Sequence, residues 1–295
     1  MLIRKAVVPI AGLGTRLFPA SHACKKEFFP VVGPDGIARA LLHYQVMDLV
    51  QAGIEQICIV VQPGEEQLVV DYFSGPGPNY ERRLVHHPEL VEELARMKAA
   101  LERLSFAVQE SQEGYGHAVY QARAFAAGEA VLLCLGDHLF RSSQRSCHSQ
   151  LVDAYARCGG YTVSAVNRIG PSELKGYGTI AGRRLPTHPQ LIEVTRIVEK
   201  PSVELARSQL RVDGLGPDEF LGWFGMHALS PAIFDVLAEM IARDERQKGE
   251  FQLTYAQELL RQREGYSALE IQDGQRFDFG TPQDIMKNVG EFAVG

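Results

Sequence analysis

The sequence lacks an excess of basic residues. Its 30 lysines and arginines face 36 aspartates and glutamates, which gives a net charge of −6. Proteins that bind nucleic acid generally need a basic surface to neutralise phosphates, so this balance argues against a nucleic-acid partner. A local basic pair such as Lys25-Lys26 is still compatible with binding a small anion.

Long apolar runs are also missing. No stretch approaches the ~18 apolar residues of a membrane-spanning helix, so no membrane partner is expected. Residues 4–11 superficially resemble a signal peptide, but Gly12, Gly14 and Arg16 follow at once. The apolar part has the length of a buried strand, and we therefore predict a strand there rather than a targeting segment.

Cysteines are few and show no pairing pattern. There are five of them, an odd number, and no C-x-x-C motif occurs. Cys58 and Cys134 lie inside apolar runs, where a reduced thiol packs as a small hydrophobic group. The cysteine and histidine spacings match no structural zinc site. We therefore expect a reducing, cytoplasmic location.

Short apolar runs alternate with helical spacing in the first half of the chain. The strand-like runs are 5–10, 56–61, 106–109 and 130–135, and the helical segments are 38–52, 65–73, 88–104 and 116–127. This alternation predicts an α/β fold with a mostly parallel, Rossmann-like sheet that carries helices on both faces.

The second half contains more strands than helices. Strands are predicted over 161–167, 177–181, 191–198 and 220–229, and helices over 230–243 and 251–263. Thr281 can cap a last helix with Pro282 in its first position, whereas the polar segment 203–217 predicts an irregular excursion. No linker is visible, so we expect a single domain over 1–295 with a smaller β-rich portion.

A glycine-rich segment follows the first predicted strand. Its residues 11–19 read Ala-Gly-Leu-Gly-Thr-Arg-Leu-Phe-Pro. Glycines let backbone N–H groups approach phosphate oxygens closely. The segment is not a Walker loop, because G-x-x-x-x-G-K-[ST] is absent, and the dinucleotide motif G-x-G-x-x-G fails at Leu17. Taken alone, the two glycines favour a tight strand-to-helix turn.

The continuation of this segment points to a family. With Pro19, Lys26-Glu27 and 30–32, it resembles the G-x-G-T-R…P…K-E…P-V signature of sugar-phosphate nucleotidyltransferases. The bacterial UTP–glucose-1-phosphate uridylyltransferases are the most similar branch, although His22 and Lys25 depart from their pattern. Further patches in the family's order are Gln109 with 114–118, then 135–137, 177–178, 198–201, 250–254 and 277–282.

The resemblance implies an activity for the whole chain. Family members join a nucleoside triphosphate to a sugar 1-phosphate and release pyrophosphate, with Mg²⁺ as cofactor. The branch implies UTP and glucose 1-phosphate as the small-molecule substrates, and a homo-oligomer is compatible with it. Residues 1–140 would then form mainly the nucleotide-binding half, and 141–295 the sugar-binding half with the C-terminal helices.

The same resemblance implies roles for individual residues. Arg16 and Lys26 would hold the triphosphate, and Asp137 and Asp278 would bind the metal ion. The nucleotide-binding positions would be Ala11, Gly12, Leu13, Gly14, Thr15, Gln109 and Gly114, and the sugar-binding positions Gly178, Glu199 and Lys200, of which Lys200 would also be catalytic. Without the resemblance, the two aspartates could equally cap a turn and a helix.

Departures from the family pattern leave the substrate open. The segment 33–44 is expanded, the strand at 224–230 differs, and Tyr255 replaces an aspartate. The same chemistry with dTTP or another hexose 1-phosphate is an alternative, as is a catalytically silent nucleotide-sugar-binding regulatory protein. A glycosyltransferase is disfavoured, since Gly136-Asp137-His138 stands where a D-x-D motif is expected.

Overall fold

The computed structural model describes residues 2–294. The strands, numbered in chain order, are β1 (Lys5–Pro9), β2 (Pro30–Val32), β3 (Ala38–Ala40), β4 (Gln56–Val61), β5 (Leu104–Val108), β6 (Val131–Cys134), β7 (His138–Ser142), β8 (Val163–Ile169), β9 (Gly178–Leu185), β10 (His188–Glu199), β11 (Phe220–Leu229), β12 (Ser267–Glu270) and β13 (Gly274–Asp278). Nine of them form one mixed sheet in the order β5-β4-β1-β6-β11-β8-β12-β10-β9. The α/β expectation is thereby confirmed.

The sheet is parallel where the sequence alternates strand and helix. Strands β5, β4, β1 and β6 run parallel to one another. Strand β11 then inserts antiparallel between β6 and β8. Because the chain crosses over between parallel strands, the carboxyl ends of β1 and β6 lie side by side, which is where open α/β sheets bind ligands.

Helices cover both faces of the sheet, as predicted. They are α1 (Ala20–Ala23), α2 (Leu41–Gln51), α3 (Glu66–Ser74), α4 (Pro78–Leu84), α5 (Pro88–Leu101), α6 (Tyr115–Gln121), α7 (Arg123–Ala126), α8 (Cys147–Arg157), α9 (Val203–Gln209), α10 (Ala232–Ala242), α11 (Leu253–Glu264) and α12 (Pro282–Ala293). One core lies between the sheet and α2, α3, α5 and α8. A second core lies between the opposite face and α6, α10 and α11.

A third, smaller core lies outside the main sheet. Strands β7 and β13 pair antiparallel, with Asp278 opposite His138. Phe277 and Phe279 point into a cluster that also contains Leu139 and Phe292, the latter from α12. This cluster fixes the strand that carries Asp278. Helix α12 begins as predicted, with Thr281 accepting a hydrogen bond from the backbone N–H of Asp284 and Pro282 in the first turn.

Several predicted boundaries were wrong. The segment 38–52 is a short strand, β3, followed by α2. The residues at 38–40 pair with β2 in an antiparallel hairpin, so the helix begins only at Leu41. The helix predicted over 88–104 ends at Leu101, and β5 begins at Leu104. The segment 203–217 begins with α9, which Ser202 caps. Helix α8 was not predicted, although its buried residues Cys147, Leu151 and Tyr155 follow helical spacing. The pairing of β7 with β13 was not predicted, because neither strand has a continuous apolar run.

Membrane insertion by a helix is not supported. Among residues 2–294, no helix combines the length and the apolar character needed to cross a bilayer.

Phe277→Ala tests how far the candidate site depends on the third core. Removing a fully buried phenylalanine side chain costs about 3–5 kcal/mol, and we expect the free energy of unfolding in urea to fall by that amount. Met286→Ala is the matched control, because Met286 lies on α12 of the same unit but is 83% exposed. Its effect should stay below about 0.5 kcal/mol. Similar losses for both variants would contradict this packing.

Candidate active site

The site is built where β1 and β6 end. A Cβ atom added to Gly136, just beyond β6, would lie 2.6 Å from Ile10 Cγ2 and 3.0 Å from the carbonyl oxygen of Pro9. The two strand ends therefore touch, and glycine is the residue that permits the contact. The loop after β1 and Asp137 after β6 are placed together by this packing.

The glycine-rich loop borders an open space. Gly14 has a φ of +64°, a left-handed conformation that glycine adopts without strain. It precedes a short 3₁₀ helix at Thr15–Leu17. A Cβ atom on Gly12 would have no described atom within 4 Å, so backbone at this point is accessible to a ligand. The loop is therefore shaped as an anion-binding turn would require.

A cavity of about 470 Å³ lies beside this loop. Nine of the residues singled out in the sequence contribute to its wall: Ala11, Gly12, Leu13, Thr15, Arg16, Lys26, Gln109, Gly114 and Asp137. Glu27 and Tyr115 also line it, and both carry a buried oxygen that has no hydrogen-bond partner among the described residues. Both oxygens have almost no accessible surface, so they lie behind the cavity wall and do not face its interior.

Asp137 is buried at the end of β6. The residue is only 8% exposed. Lys26 Nζ lies 2.6 Å from its Oδ2, and His138 Nδ1 lies 2.9 Å from its Oδ1. Burial raises the pKa of Asp137, but Lys26 and His138 outweigh that effect and hold the pKa well below its usual range. Asp137 is therefore a carboxylate at neutral pH.

Lys26 is also charged at neutral pH, because it is held by the same contact. Burial lowers its pKa, whereas the nearby carboxylates of Asp137 and Glu27 raise it, and the net change is upward. The pair is thus a buried ammonium–carboxylate contact. A cation fixed at a cavity wall can neutralise a phosphate that enters the cavity.

Asp278 reaches the same point from the C-terminal part of the chain. The backbone N–H of Phe279 donates to the carbonyl oxygen of Asp137 at 2.9 Å, and that of Gly280 donates to Asp278 Oδ1 at 2.7 Å. One donor atom each from Asp137, His138 and Asp278 lie within 4.8 Å of one another. The two predicted metal ligands are therefore brought together.

Arg16 joins this group at Gly280. A Cβ atom on Gly280 would lie 2.9 Å from an Arg16 Nη2, 3.0 Å from Asp278 Oδ1 and 3.1 Å from Asp137 Oδ2. Only a glycine leaves room for three functional groups at this spot. The glycine-rich loop and both aspartates thus meet, as the sequence patches had indicated.

The donor set suits a divalent cation. Two carboxylates and an imidazole are common ligands for such ions. His138 and Gly280 hold the two carboxylates in fixed orientations, which is the support that ligating groups usually receive. The residues present therefore fit the Mg²⁺ that the family resemblance implies.

Gly114 lies at the cavity wall and is packed closely against the chain at 250–251. Its φ is +114°, and a Cβ atom there would lie 2.9 Å from Glu250 Cβ and from the backbone of Phe251. The missing side chain makes room for the chain at 250–251, and the nucleotide-binding role of Gly114 stays a prediction. Gln109 is buried at the cavity wall, and its Nε2 donates to the Gly114 carbonyl at 3.3 Å.

Gly178, Glu199 and Lys200 form a separate group at the β9–β10 edge of the sheet. Thr254 donates a hydrogen bond to Glu199 Oε2 at 2.8 Å. Lys200 Nζ lies 3.6 Å from Glu199 Oε1, and its side chain is 49% exposed. The Trp223 indole occupies the space beside Gly178. A Cβ atom added to Gly178 would lie 2.5 Å from Trp223 Cδ1.

Arg276 links the two groups. Its Nη1 donates to the Trp223 carbonyl oxygen at 2.6 Å, and its guanidinium lies 4.0 Å from the centre of the Tyr177 ring. Arg276 and Asp278 are two residues apart on β13 and therefore share a face of that strand.

Comparison with known proteins identifies the family. A family model described as nucleotidyl transferase matches residues 5–292. This chain belongs to that family. UTP–glucose-1-phosphate uridylyltransferase 2 of Staphylococcus saprophyticus is 31% identical over 294 residues, which cover 99% of this chain and 92% of the relative. The UTP–glucose-1-phosphate uridylyltransferase of Mycoplasma genitalium is 30% identical over 290 residues, covering 97% and 90%.

Solved structures agree with the family's fold. A UDP-glucose pyrophosphorylase complexed with UDP-glucose superposes with a TM-score of 0.79 at 26% identity, covering 99% of this chain and 98% of that one. A UTP-bound UGPase from Acinetobacter baumannii gives 0.78 at 27% identity, covering 99% and 93%. The nucleotidyltransferase fold thus extends over nearly the entire chain.

Sequence analysis missed several residues of this nucleotidyltransferase site. His138 stands next to Asp137, and that adjacency was the available signal. Tyr115 lies in the patch 114–118 but had no predicted role of its own. Trp223 and Arg276 have no local signal, because their positions depend on contacts between distant strands. Thr254 lies in a recognised patch, but its bond to Glu199 requires the packing of α11 against β10.

Glu27 is a buried carboxyl group whose charged form is disfavoured by its surroundings. It is 1% exposed, its Oε2 has no described partner, and Lys26 Nζ lies 3.6 Å from its Oε1. Burial raises the pKa of Glu27 to about 7, although Lys26 and Lys25 oppose the rise. Folding therefore favours the protonated carboxyl.

Glu27→Gln should flatten the pH dependence of stability. Because the folded pKa lies above the unfolded value of 4.5, the contribution of Glu27 is complete below that value and is lost as pH rises through 7. The difference corresponds to about 3 kcal/mol. Urea unfolding between pH 4.5 and 8 measures it. Asp48→Asn serves as the comparison, because burial also raises the pKa of Asp48 to about 7. Each single variant should therefore remove only its own part of the pH dependence of the free energy of unfolding. An unchanged slope in Glu27→Gln would contradict this assignment.

Proposed function

We propose that this nucleotidyltransferase transfers the uridylyl group of UTP to glucose 1-phosphate, giving UDP-glucose and pyrophosphate with Mg²⁺ as cofactor. The observation that carries the proposal is the convergence of Arg16, Lys26, Asp137 and Asp278 beside the cavity at Gly12. Two acidic ligands, two cations and an exposed backbone turn are what a polyphosphate substrate requires.

The chemistry needs positioning more than a protein nucleophile. An oxygen of the sugar phosphate attacks the α-phosphorus of UTP in line, and the bond from that phosphorus to the bridging oxygen of pyrophosphate breaks. Arg16 and Lys26 stabilise the negative charge on the triphosphate and on the departing pyrophosphate. A bound Mg²⁺, held by Asp137 and Asp278, would neutralise phosphate charge.

The base would lie against the Gln109 side of the cavity. The Gln109 amide can donate and accept hydrogen bonds, and it is fixed by its bond to the Gly114 carbonyl. The amide supports recognition of a polar base edge such as that of uracil.

The sugar phosphate would bind towards the second group of residues. Glu199, oriented by Thr254, can accept hydrogen bonds from sugar hydroxyls, and the half-exposed Lys200 can meet the phosphate. The Trp223 indole lies against Gly178 at this end of the site. The departures from the family pattern at 33–44 and 224–230 support, as a second candidate, the same reaction with a hexose 1-phosphate other than glucose 1-phosphate.

The reaction would take place in the cytoplasm. All five cysteines are free thiols, and Cys58, Cys134 and Cys147 are buried. Free thiols are typical of a reducing compartment, which supports this location.

A panel of substrates tests the proposed function. Pyrophosphate release is measured with UTP, dTTP, CTP and ATP, each combined with glucose 1-phosphate, galactose 1-phosphate and mannose 1-phosphate in the presence of Mg²⁺. We expect UTP with glucose 1-phosphate to give the highest kcat/KM. A clear preference for another hexose would establish the second candidate. UTP binding without pyrophosphate release from any pair would contradict an enzymatic function.

Asp137→Ala should abolish turnover. The substitution removes one metal ligand and the partner of Lys26, and loss of one such electrostatic group lowers kcat by about 100-fold or more. Because Asp137 is buried and paired with Lys26, its loss should also lower the free energy of unfolding, and circular dichroism checks that the variant is folded under the assay conditions. Full activity of this variant would exclude Asp137 from the cation site.

Gly280→Ala tests the convergence itself. The added methyl group would meet Arg16, Asp278 and Asp137, so we expect kcat to fall by about 10-fold or more through misplacement of these groups. Gly290→Ala on α12 is the matched control, because an added Cβ there has no described atom within 4 Å. If both variants keep wild-type kcat, the three groups do not act at this point.

A further inference from the structure

Gln45 is a buried amide side chain on α2 that contacts the end of β6. It is 1% exposed. Its Nε2 donates a hydrogen bond to the carbonyl oxygen of Leu135 at 2.9 Å and another to the carbonyl oxygen of His138. These two carbonyl groups flank the dipeptide Gly136-Asp137. One side-chain amide therefore reaches both ends of the segment that carries Asp137.

The segment 135–138 is a tight turn between β6 and β7. The backbone N–H of His138 donates to the carbonyl oxygen of Leu135 at 3.3 Å, which closes a four-residue turn with Asp137 in its third position. That distance is long for a bond between an N–H group and a carbonyl oxygen. Gln45 adds a donor at both ends of the turn and thereby holds it closed.

The rest of the Gln45 side chain shows what the position requires. Its Oε1 is buried and has no hydrogen-bond partner among residues 2–294. An unpaired buried acceptor is costly, and an apolar side chain of similar length, such as that of methionine, would avoid the cost. The amide therefore serves this position through its N–H groups.

Asn288 holds the second aspartate in the same way. It lies on α12, is 7% exposed, and its Nδ2 donates to the carbonyl oxygen of Asp278 at 2.6 Å. Helices α2 and α12 both contribute to the third core, through Leu41 and Phe292. Apolar packing thus anchors the two helices from which these amides reach the aspartates.

The side-chain partners of Asp137 are not enough to hold it during the reaction. Lys26 Nζ, 2.6 Å from Asp137 Oδ2, is also a cation that an entering triphosphate would engage. Once Lys26 shares its charge with a phosphate, its attraction for the carboxylate weakens. The carboxylate then keeps its place through its backbone, and hydrogen bonds of this supporting kind hold functional groups within the narrow limits that catalysis requires.

We propose that Gln45 and Asn288 are positioning residues of the nucleotidyl transfer, which hold the backbones at Asp137 and Asp278 so that the two carboxylates keep their separation when substrates bind. The inference rests on the roles that the proposed function gives to these aspartates. Neither amide lines the cavity at Gly12, so both act through the residues that they hold.

A purely structural role makes a different prediction. Loss of a buried hydrogen bond would then lower stability only, and the folded protein would keep its wild-type kcat and KM. A positioning role lowers kcat instead, because the reacting groups are misplaced. It leaves the KM for glucose 1-phosphate nearly unchanged, since that substrate would bind at the β9–β10 edge. The split between kcat and KM separates the two roles.

The kinetic test uses Gln45→Met and Asn288→Leu, which keep the approximate size of each side chain and remove its N–H donors. We expect kcat with UTP and glucose 1-phosphate to fall by about 10-fold or more in each variant. The KM for glucose 1-phosphate should stay within about 3-fold of wild type. Urea unfolding checks that each variant is folded under the assay conditions.

Gln257→Met is the matched control for the kinetic test. Gln257 is also 1% exposed, but it lies on α11 at the opposite core, with its Nε2 3.0 Å from His227 Nδ1. Its replacement should lower stability and leave kcat unchanged. Wild-type kcat in Gln45→Met or in Asn288→Leu, or an equal loss of kcat in Gln257→Met, would overturn the proposal.

Hydrogen–deuterium exchange reads the two backbones without substrate or metal. In Gln45→Met, peptides that cover 135–142 should exchange about 10-fold faster or more, and in Asn288→Leu the same should hold for 277–281. Peptides from β8 should keep their wild-type rates in both variants. Unchanged exchange at 135–142 and 277–281, or an equal rise in β8, would overturn the proposal.

A crystal structure of the wild-type protein with UTP and Mg²⁺ keeps the proposal testable if the variants do not fold. Both amides should retain their hydrogen bonds to the aspartate segments in that complex, and a broken bond at either one would overturn the proposal.

Failure of this inference can be told apart from failure of the proposed function, because the exchange experiment does not depend on turnover. Faster exchange in the two variants, together with a wild-type protein that turns over no substrate pair, would keep the two amides as supports of the aspartates and remove the proposed reaction. Wild-type turnover with unchanged exchange in the variants would do the reverse.

Discussion

The buried carboxylate of Asp137 is the interaction on which the rest of the site depends. Moving a charged carboxylate out of water costs several kcal/mol unless partners compensate. Lys26 and His138 supply that compensation through both carboxylate oxygens. The segment after β1, the end of β6 and the start of β7 must therefore stay together, since separating any of them would leave a buried charge unpaired.

This requirement explains why the small hairpin outside the main sheet matters. Strand β13 is paired with β7 and packed by Phe277 and Phe279 against α12. Those apolar contacts place Asp278 beside a second carboxylate, where like charges would otherwise repel. His138 and the backbone N–H of Gly280 lie against the two groups and reduce that repulsion. Hydrophobic packing thus supports an electrostatic arrangement that would not form alone.

Local patterns in the sequence predicted the parallel half of the fold well. The apolar run 56–61 coincides with β4, and the run 130–135 contains β6, because a fully buried strand needs a continuous apolar segment. Strand β7 includes Arg141 and β13 includes Arg276, so neither has that signal. Their pairing is a contact between residues more than 130 positions apart, which no local pattern can indicate.

The candidate site could be predicted in part for a similar reason. Motif spacing located the loop at 12–16 and both aspartates, because those residues follow predicted strands or precede a predicted helix. It did not indicate that the missing side chains of Gly114 and Gly178 leave room for Phe251 and Trp223. A glycine in a motif shows that space is needed, but only the three-dimensional packing shows whether a ligand or the protein itself fills it.

The position of Arg276 suggests how the two substrate groups are kept in register. On β13 it lies two residues before Asp278, and it binds the Trp223 carbonyl and stacks on Tyr177. A shift of β13 would therefore move the Asp278 carboxylate and the contacts with Trp223 and Tyr177 together. In-line transfer requires both reactants to be aligned within a fraction of an ångström. One strand that carries both Asp278 and Arg276 meets that requirement more directly than two independent loops would.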